Sequence, residues 1–317
     1  MNGVVVIDKP AGLTSHDVVR QVKRLLKASK AGHTGTLDPM ATGVLPVCLN
    51  EATKIAQFLS SDAKTYRAVM LLGVRTDTQD TQGQVIGRSD PDVSETAIRQ
   101  AMRRMVGAIQ QVPPAYSALK HQGKPLYRYA RRGEVPDIPP REVEIFNIDV
   151  LEVERPYVTF EVSCSKGTYI RTLCADLGDA LGCGACLAGL RRLKSGMFDI
   201  QAAVPLQQDG APFPPDSLRQ AVIPMAQCLP AMAEVPVDEM MAGRLRNGFQ
   251  PDAGSLAGHV PAFLVAGDMI KFTDSDGELA AVAEMIIDGR TVAGSRKDDR
   301  AARVLRVFRG RLASTRP

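Results

Sequence analysis

Apolar residues recur along the chain in two periods, and the switch between them marks out the elements. Residues 4–7, Val-Val-Val-Ile, read as a short buried strand that ends at the turn Asp8-Lys9-Pro10-Ala11-Gly12. Val18, Val19, Val22, Leu25 and Leu26 then repeat at helical spacing, with Ser15 as the expected cap. Residues 44–49 predict a second buried strand, and Asn50 the cap of a short helix with Ile55, Phe58 and Leu59 on one side. Residues 64–72 predict a third strand, in which Tyr66 alternates with Ala68 and Met70. Ser94 caps a helix with Ile98, Ala101, Met102, Met105 and Val106 on one stripe, and Gly107 is placed to stop it. Residues 142–152 and 157–164 read as paired strands, the second alternating Val158, Phe160 and Val162 with Thr159, Glu161 and Ser163. After Lys166-Gly167-Thr168 a helix buries Ile170, Leu173, Cys174 and Leu177, and residues 187–193 are apolar apart from Arg191 and Arg192.

The texture changes after residue 200. Pro205, Pro212, Pro214 and Pro215 mark residues 202–216 as a linker, followed by one helix capped at Ser217. From about residue 235 the apolar runs are short and β-like, at 262–266, 269–273, 279–287 and 304–308, with Gly/Asp turns between them. With 317 residues the chain suits one large domain and a small β-rich second one.

Composition changes this picture little: 44% hydrophobic and 23% charged residues belong to an ordinary soluble globular protein. The net charge of +4 is too small to demand a polyanionic partner, so the placement of the positive residues matters more. Arg20, Lys23, Arg24, Lys27 and Lys30 share the polar face of the first helix, which is a solvated face or a phosphate contact. Residues 111–133 mix Lys120, Lys124, Arg128, Arg131 and Arg132 with Tyr116, Tyr127 and Tyr129. That mixture suits looped RNA, whose phosphates take the charge and whose unstacked bases take the rings; it also suits a Pro-rich connector before a basic surface helix. Arg296, Lys297, Arg300, Arg303, Arg306, Arg309 and Arg311 make a third basic stretch. The six cysteines have no disulfide-framework spacing, and Cys183-x-x-Cys186 lacks the two further ligands a zinc site needs. The apolar run before Asp8 is only four residues long, far short of a signal core or a membrane span, so a cytoplasmic protein with no membrane partner is expected. There is no internal repeat, no P-loop and no G-x-G-x-x-G.

The candidate chemistry centres on Gly32-His33-Thr34-Gly35-Thr36-Leu37-Asp38-Pro39-Met40-Ala41-Thr42-Gly43. Three glycines allow close approach of a ligand, and Pro39 pushes Asp38 out of helical geometry, so one carboxylate is presented on a shaped loop. Asp38 reads as a nucleophile there, although Asp-Pro among glycines is also what a surface turn looks like. Tyr66, at its spacing, is a core residue or a catalyst. Asp77 and Asp80 in the polar stretch 73–83 hold a divalent cation or belong to a solvated hairpin. Arg171 falls in the first turn of its helix beside Tyr169; the dipole gives it nothing there, and a carboxylate partner would explain it.

Six ordered motifs are more specific than any single one. Asp8-Lys-Pro-Ala-Gly, residues 32–43, Lys64-Thr-Tyr-Arg-Ala68, Pro113-Pro-Ala-Tyr-Ser-Ala-Leu-Lys120, Cys164-Ser-Lys-Gly-Thr-Tyr-Ile-Arg-Thr172 and Leu190-Arg-Arg192 together strongly resemble the TruB family of tRNA pseudouridine synthases, bacterial enzymes that isomerise uridine 55 in the tRNA T-loop. The resemblance implies an α+β fold with a mixed, mainly antiparallel central sheet and flanking helices, the pseudouridine synthase fold, plus a small C-terminal β-rich PUA-type domain. It divides the chain into a catalytic domain at 1–230, with an RNA-gripping insertion at about 111–141, and a PUA-type RNA-binding domain at 235–317.

On the matching positions it implies Asp38 as the catalytic carboxylate, Tyr66 against the target base, and Arg171 paired with Asp38. Tyr169 and Leu190 would wall the pocket, while His33, Thr34, Lys9 and Lys120 would help hold the RNA. No metal, cofactor or nucleotide is implied, and the partner is the T-arm of tRNA, met by a monomer. The chemistry agrees: turning uridine into its C-glycoside breaks one N-glycosidic bond and makes one C–C bond between the same partners, with no redox or phosphoryl equivalent. A nucleophilic carboxylate splits that step in two, and a nearby guanidinium opposes the loss of charge that burial favours. The rivals are a non-catalytic RNA-binding module and a metal-assisted hydrolase using Asp77, Asp80 and His33.

Overall fold

The computed structural model describes residues 1–60, 62–117, 119–134, 136–206 and 215–310. Gly3–Lys9 (β1) is buried along almost its whole length, the pattern of a strand covered on both faces. Its odd residues, Val5 and Ile7, pack with Val18, Val19 and Val22 of helix Ser15–Leu25 (α1); its even residues, Val4 and Val6, face a second apolar cluster on the other side. Ala31–His33 (β2) and Thr42–Leu49 (β3) follow, joined by the glycine-rich loop. A 3-10 turn, Asn50–Lys54, leads into the short helix Ala56–Leu59 (α2), then Lys64–Leu72 (β4) and the hairpin Val74–Thr76 (β5) and Val85–Arg88 (β6).

Glu95–Arg104 (α3) precedes Gly107–Gln111 (β7), the two-residue strands Lys120–His121 (β8) and Lys124–Pro125 (β9), and helix Leu126–Ala130 (α4). Arg141–Glu154 (β10), Tyr157–Cys164 (β11), helix Ile170–Ala180 (α5), Ala185–Ser195 (β12), Phe198–Asp199 (β13), Val204–Pro205 (β14) and helix Pro215–Gln220 (α6) come next. The main sheet runs β14-β1-β3-β12-β4-β11-β10-β7, with β13 on β12 and β2 on β3. Only β1 with β14 and β12 with β3 are parallel, so the sheet is mixed and mainly antiparallel, as expected.

A second sheet is built from Ala233–Pro236 (β15), Met269–Thr273 (β16), Leu279–Met285 (β17) and Ala302–Val307 (β18), with helices Glu239–Arg246 (α7), Ala253–Leu256 (α8) and Gly289–Val292 (α9). This unit is not merely tethered. Leu279, Val282 and Phe308 share one buried cluster with Val4, Val6, Val44 and Cys48, so apolar packing is continuous between the sheets. The buried Lys271 donates to the carbonyls of Ala226 and Leu229 at 2.8 and 3.3 Å, and Lys54 donates to that of Val307 at 3.0 Å. No helix among the described residues is long and apolar enough to cross a membrane.

Several local expectations differ from the structure, each for a physical reason. Thr14, not Ser15, caps α1, in a reciprocal capping box with Asp17. Ser15 is turned inward and is needed elsewhere. Asn50 does not cap a helix: it adopts a φ of +51°, and its side-chain oxygen accepts from Ser29 N at 2.8 Å and Lys30 N at 3.1 Å, closing the turn before β2. Residues 262–266 lie in turns rather than a strand, and α7, whose apolar stripe is short, was not foreseen. The expected linker begins with an edge strand, β14, and α6 starts at Pro215, two residues ahead of Ser217; residues 207–214 lie outside the described residues, as does Arg311 of the basic tail.

One glycine fixes how the loop re-enters the sheet. Gly43 has a φ of +99°, and a Cβ there would overlap the backbone of Arg192 on the adjacent strand. Gly43→Ala is therefore expected to destabilise the protein by at least about 2 kcal/mol. Gly12→Ala, at a φ of +85° with open space around it, should cost about 1 kcal/mol, the left-handed backbone penalty alone. Denaturant melts of the two variants compare them; equal losses would mean that the contact with Arg192 does not matter.

Candidate active site

The loop between β2 and β3 is tied down on every side. Ser15, at the start of α1, both donates to the Leu37 carbonyl (3.0 Å) and accepts from the Leu37 amide (2.8 Å). The Pro39 carbonyl accepts from the Gly12 amide at 2.8 Å and from Lys9 Nζ at 3.2 Å. Lys9 is fully buried and also donates to Pro10 O, at 2.8 Å. Its position is therefore that of a support beneath the loop, not of a surface contact. Burial lowers its pKa to about 8, the strongest of several effects.

Arg192 holds the far side of the loop. This guanidinium is 1% exposed and donates from Nε to the Val44 carbonyl at 2.7 Å and from Nη2 to Gly35 O at 3.1 Å. Beside it, Arg191 forms a two-pronged pair with Asp8, at 3.1 and 2.7 Å. The Asp8 and Leu190-Arg-Arg192 motifs, far apart in sequence, thus meet at one place.

Asp38 is presented at a cavity of about 380 Å³ whose wall includes Thr34, Tyr66, Ser117, Tyr169, Arg171 and Leu190. Arg171 Nε lies 2.9 Å from Asp38 Oδ2. The arginine side chain is 5% exposed, while 36% of the Asp38 side chain faces the cavity, so the pair is anchored on one side and open on the other. The rest of the guanidinium is bound too: Nη1 donates to Thr78 O at 3.1 Å, and Nη2 to Tyr116 O at 2.9 Å. Asp80 Oδ2 stands 3.8 Å from Nη1. One side chain therefore locks together the catalytic-loop candidate, the 73–83 turn and the segment leading to α4.

Electrostatically the site leaves Asp38 less acidic than an ordinary carboxylate. Crowding of the carboxyl by protein atoms raises its pKa, Arg171 opposes this, and Asp80 adds to the rise. The guanidinium opposes the effect of burial, as expected, without cancelling it. Tyr66, on β4 opposite Arg192 of β12, is 8% exposed; burial raises its phenol, and Arg192 pulls in the other direction.

The remaining predicted residues divide clearly. Tyr169 caps α5 through its backbone, exchanging hydrogen bonds with the Gln111 side chain at 2.7 and 3.1 Å, and it lines the cavity with Leu190 and Thr34. His33 ends β2, and burial, then Arg192, lower its pKa; its Nδ1 is buried without a partner. Lys120 is exposed on β8, away from the cavity wall. Asp77, Asp80 and His33 do not form a ligand set: Asp77 accepts from Gln84 N at 2.7 Å, and Asp80 accepts from Thr78 Oγ1 at 2.7 Å and Gln82 N at 3.0 Å. Among the described residues no three such side chains are arranged to hold a metal ion.

Sequence reasoning gave Arg192 and Lys64 no role of their own, and offered Asp80 only as part of a cation site or a solvated hairpin, not as a neighbour of Arg171. Lys64 lines the cavity and donates to Ser60 O at 2.9 Å. The signal for Arg192 and Lys64 was charge at the inward positions of buried strands; Asp80 had none, because its turn reads as solvent-facing.

Residues 23–170 match the family model for the TruB family pseudouridylate synthase N-terminal domain, and residues 171–229 that for the tRNA pseudouridylate synthase B C-terminal domain. The chain is 50% identical over 312 residues to tRNA pseudouridine synthase B of Syntrophus aciditrophicus, covering 98% of this chain and 100% of that one. It is 41% identical to the protein of the same name from Geobacter sulfurreducens, covering 97% and 100%. Among solved structures, a crystal structure of a Cbf5-Nop10-Gar1 complex superposes with a TM-score of 0.73 at 31% identity, over 98% of this chain and 85% of that one.

The raised pKa of Asp38 makes a stability statement with a definite sign. A carboxyl whose folded pKa exceeds its unfolded value favours the native state below the unfolded pKa, and that advantage is lost as pH rises through the folded pKa. At neutral pH Asp38→Asn should therefore melt at the same temperature as the parent or higher, with the difference shrinking in acid. Thermal melts from pH 7 down to pH 4 test this, and a melting temperature several degrees below the parent's at pH 7 would contradict the balance described.

Proposed function

The chain belongs to the TruB family of pseudouridylate synthases, and on that premise we propose that it isomerises uridine 55 in the T-loop of tRNA, with Asp38 as the nucleophile on an extruded nucleotide. The observation that carries this reading is the Asp38–Arg171 pair at 2.9 Å on the wall of a cavity that Tyr66 also lines. A lone carboxylate repels RNA phosphates, so a module built only to bind RNA has no use for one held ionised at the mouth of a cavity. Nucleophilic catalysis does.

In this reading the target uridine leaves its stack, at a cost of a few kcal/mol, and enters the cavity beside Tyr66, Tyr169 and Leu190. Asp38, kept charged by Arg171, forms a covalent bond to the nucleotide. The N-glycosidic bond breaks, the base turns within the dry cavity, and the new C–C bond forms as the bond to Asp38 is released. The proton on C5 of uracil must then leave, and Tyr66 is the buried group beside the base that is suited to move it.

The exposed Arg20, Lys23 and Arg24 of α1, Lys27 and Lys30 just beyond its end, and the exposed Lys120, Arg128, Arg131 and Arg132 of the 111–141 insertion take phosphates of the T-arm, with His33 at the loop base. Arg131 lies 5.4 Å over the Tyr127 ring, a pairing that also offers a face for a base. The unit from 235 to 317, of PUA type, adds a second RNA contact through exposed Arg296, Lys297, Arg300, Arg303, Arg306 and Arg309. The enzyme acts as a monomer in the cytoplasm and needs no cofactor.

Quantifying pseudouridine in tRNA after incubation with the parent and with Asp38→Asn tests the proposal. The parent is expected to modify the T-loop uridine, and the variant to bind tRNA normally while its turnover vanishes; a variant with residual rates within 10-fold of the parent, on the order of 1.4 kcal/mol, would remove Asp38 as nucleophile. Arg171→Lys keeps the charge but loses the planar fork that reaches Asp38, Thr78 and Tyr116 together, so its single-turnover rate should fall about 100-fold. Near-parental rates would show that point charge alone suffices.

A further inference from the structure

Among the described residues, four buried side-chain polar atoms have no hydrogen-bond partner: His33 Nδ1, Thr34 Oγ1, Ser117 Oγ and Arg246 Nε. Two of them, on Thr34 and Ser117, belong to residues that line the Asp38 cavity. Ser117 is 5% exposed and Thr34 4%, so neither hydroxyl is simply left to bulk water. A hydroxyl shut away unpaired is costly, and folded proteins tolerate few. Two on the wall of one cavity mark a place where the partner arrives with the ligand.

The backbone under Ser117 is fixed from both sides. The preceding carbonyl, of Tyr116, accepts from Arg171 Nη2 at 2.9 Å, and the Ser117 carbonyl accepts from the Tyr127 amide at 3.1 Å. The hydroxyl is thus one residue from the anchor of the guanidinium that pairs with Asp38, on a segment that the start of α4 holds in place. Thr34 comes from a different part of the chain and is fixed by its amide on Pro46 O at 3.3 Å. Neither side chain hydroxyl serves the free fold through a hydrogen bond, although the backbone at each position is fixed.

We propose that Ser117 is a binding residue for the extruded uridine, its hydroxyl hydrogen-bonding the polar edge of the uracil, with the Thr34 hydroxyl as a second contact. This rests on the reading of the preceding subsection. An extruded uracil brings two carbonyl oxygens and one N–H that lose their water on entering a dry cavity, and each then needs a partner. A hydroxyl both donates and accepts, so it satisfies either kind of group, including while the base turns between its two attachments. The ribose and phosphates lie nearer the RNA strand, where the exposed basic surfaces serve them.

The experiment compares a T-arm stem-loop carrying uridine at the target position with one carrying an abasic ribose there. Ser117→Ala is expected to lower the single-turnover rate at saturating uridine RNA about 10-fold and to weaken its binding about 5- to 10-fold, leaving the affinity for abasic RNA unchanged. Its melting temperature should equal or exceed the parent's, because the deleted hydroxyl has no partner in the free protein. Thr34→Val keeps the side-chain shape and should show the same split between the two RNAs, to a smaller degree. Equal loss of affinity for both RNAs, or parental rate and affinity in both variants, overturns the proposal. So does a lowered melting temperature with an unaltered ratio between the RNAs, which is the behaviour of a merely structural serine. If the parent itself fails to isomerise the stem-loop uridine, the catalytic reading falls, and the affinity ratio still reports whether Ser117 meets the base.

Discussion

Everything in this site depends on holding a guanidinium still. Arg171 sits in the first turn of α5, the end of a helix where a cation is disfavoured by the dipole. It stays because each face of its fork is occupied: Asp38 on Nε, the Thr78 carbonyl on Nη1 and the Tyr116 carbonyl on Nη2. Deleting an acceptor outright from a buried charge of this kind is costly, since the guanidinium is left unpaired, whereas Asn at position 38 keeps an oxygen in that place. The arrangement therefore makes three loops interdependent. The carboxylate cannot shift without disturbing the turn that carries Asp80 and the segment that carries Ser117.

Around that pair the protein collects positive charge at unusual depth. Lys9 and Arg192 are 0% and 1% exposed, and both are bonded to carbonyls of the segment that carries Asp38 or of the strand it enters. A carbonyl accepts from a cation more strongly than from a neutral donor, which gives the glycine-rich loop a rigidity that its composition alone denies it. The field of these cations also reaches outward. Arg192 lowers the pKa of His33 and pulls down that of Tyr66 against burial, so one residue supports the loop and biases the proton inventory of the cavity.

Much of the fold was legible because the apolar periods were clean. β1, β3, β4 and β11 and helices α1, α3 and α5 fall where alternation or helical spacing places them, since burial on known faces fixes register. The failures cluster where a polar side chain had two possible employers. Ser15 and Asn50 both look like caps, yet each is taken by a distant segment, Leu37 in one case and Ser29-Lys30 in the other. Local chemistry cannot reveal a competitor twenty residues away. The same limit hid the burial of Asp80: its Thr/Gln-rich turn predicts solvent, yet it pairs with Leu187 of β12 and meets Arg171 of α5, which leaves it 6% exposed. Asp38, Tyr66 and Arg171 were legible as a group only through the order of the motifs, because each alone has an ordinary structural explanation.

The balance between order and vacancy in the cavity follows from the chemistry proposed for it. A base that must detach, turn and reattach needs partners that tolerate more than one orientation, and a frame that does not relax while it turns. Charged groups make poor partners for the moving part, since their geometry is demanding and their attraction would trap one orientation. Hydroxyls at Ser117 and Thr34 ask less, and an apolar wall at Leu190 asks nothing. The rigid charges are assigned instead to the carboxylate that must not move. Ions bonded to the protein's own backbone, beside undemanding groups on the same wall, explain why a protein would accept two buried hydroxyls without partners in its free state while satisfying so fully the arginine that holds the neighbouring carbonyl.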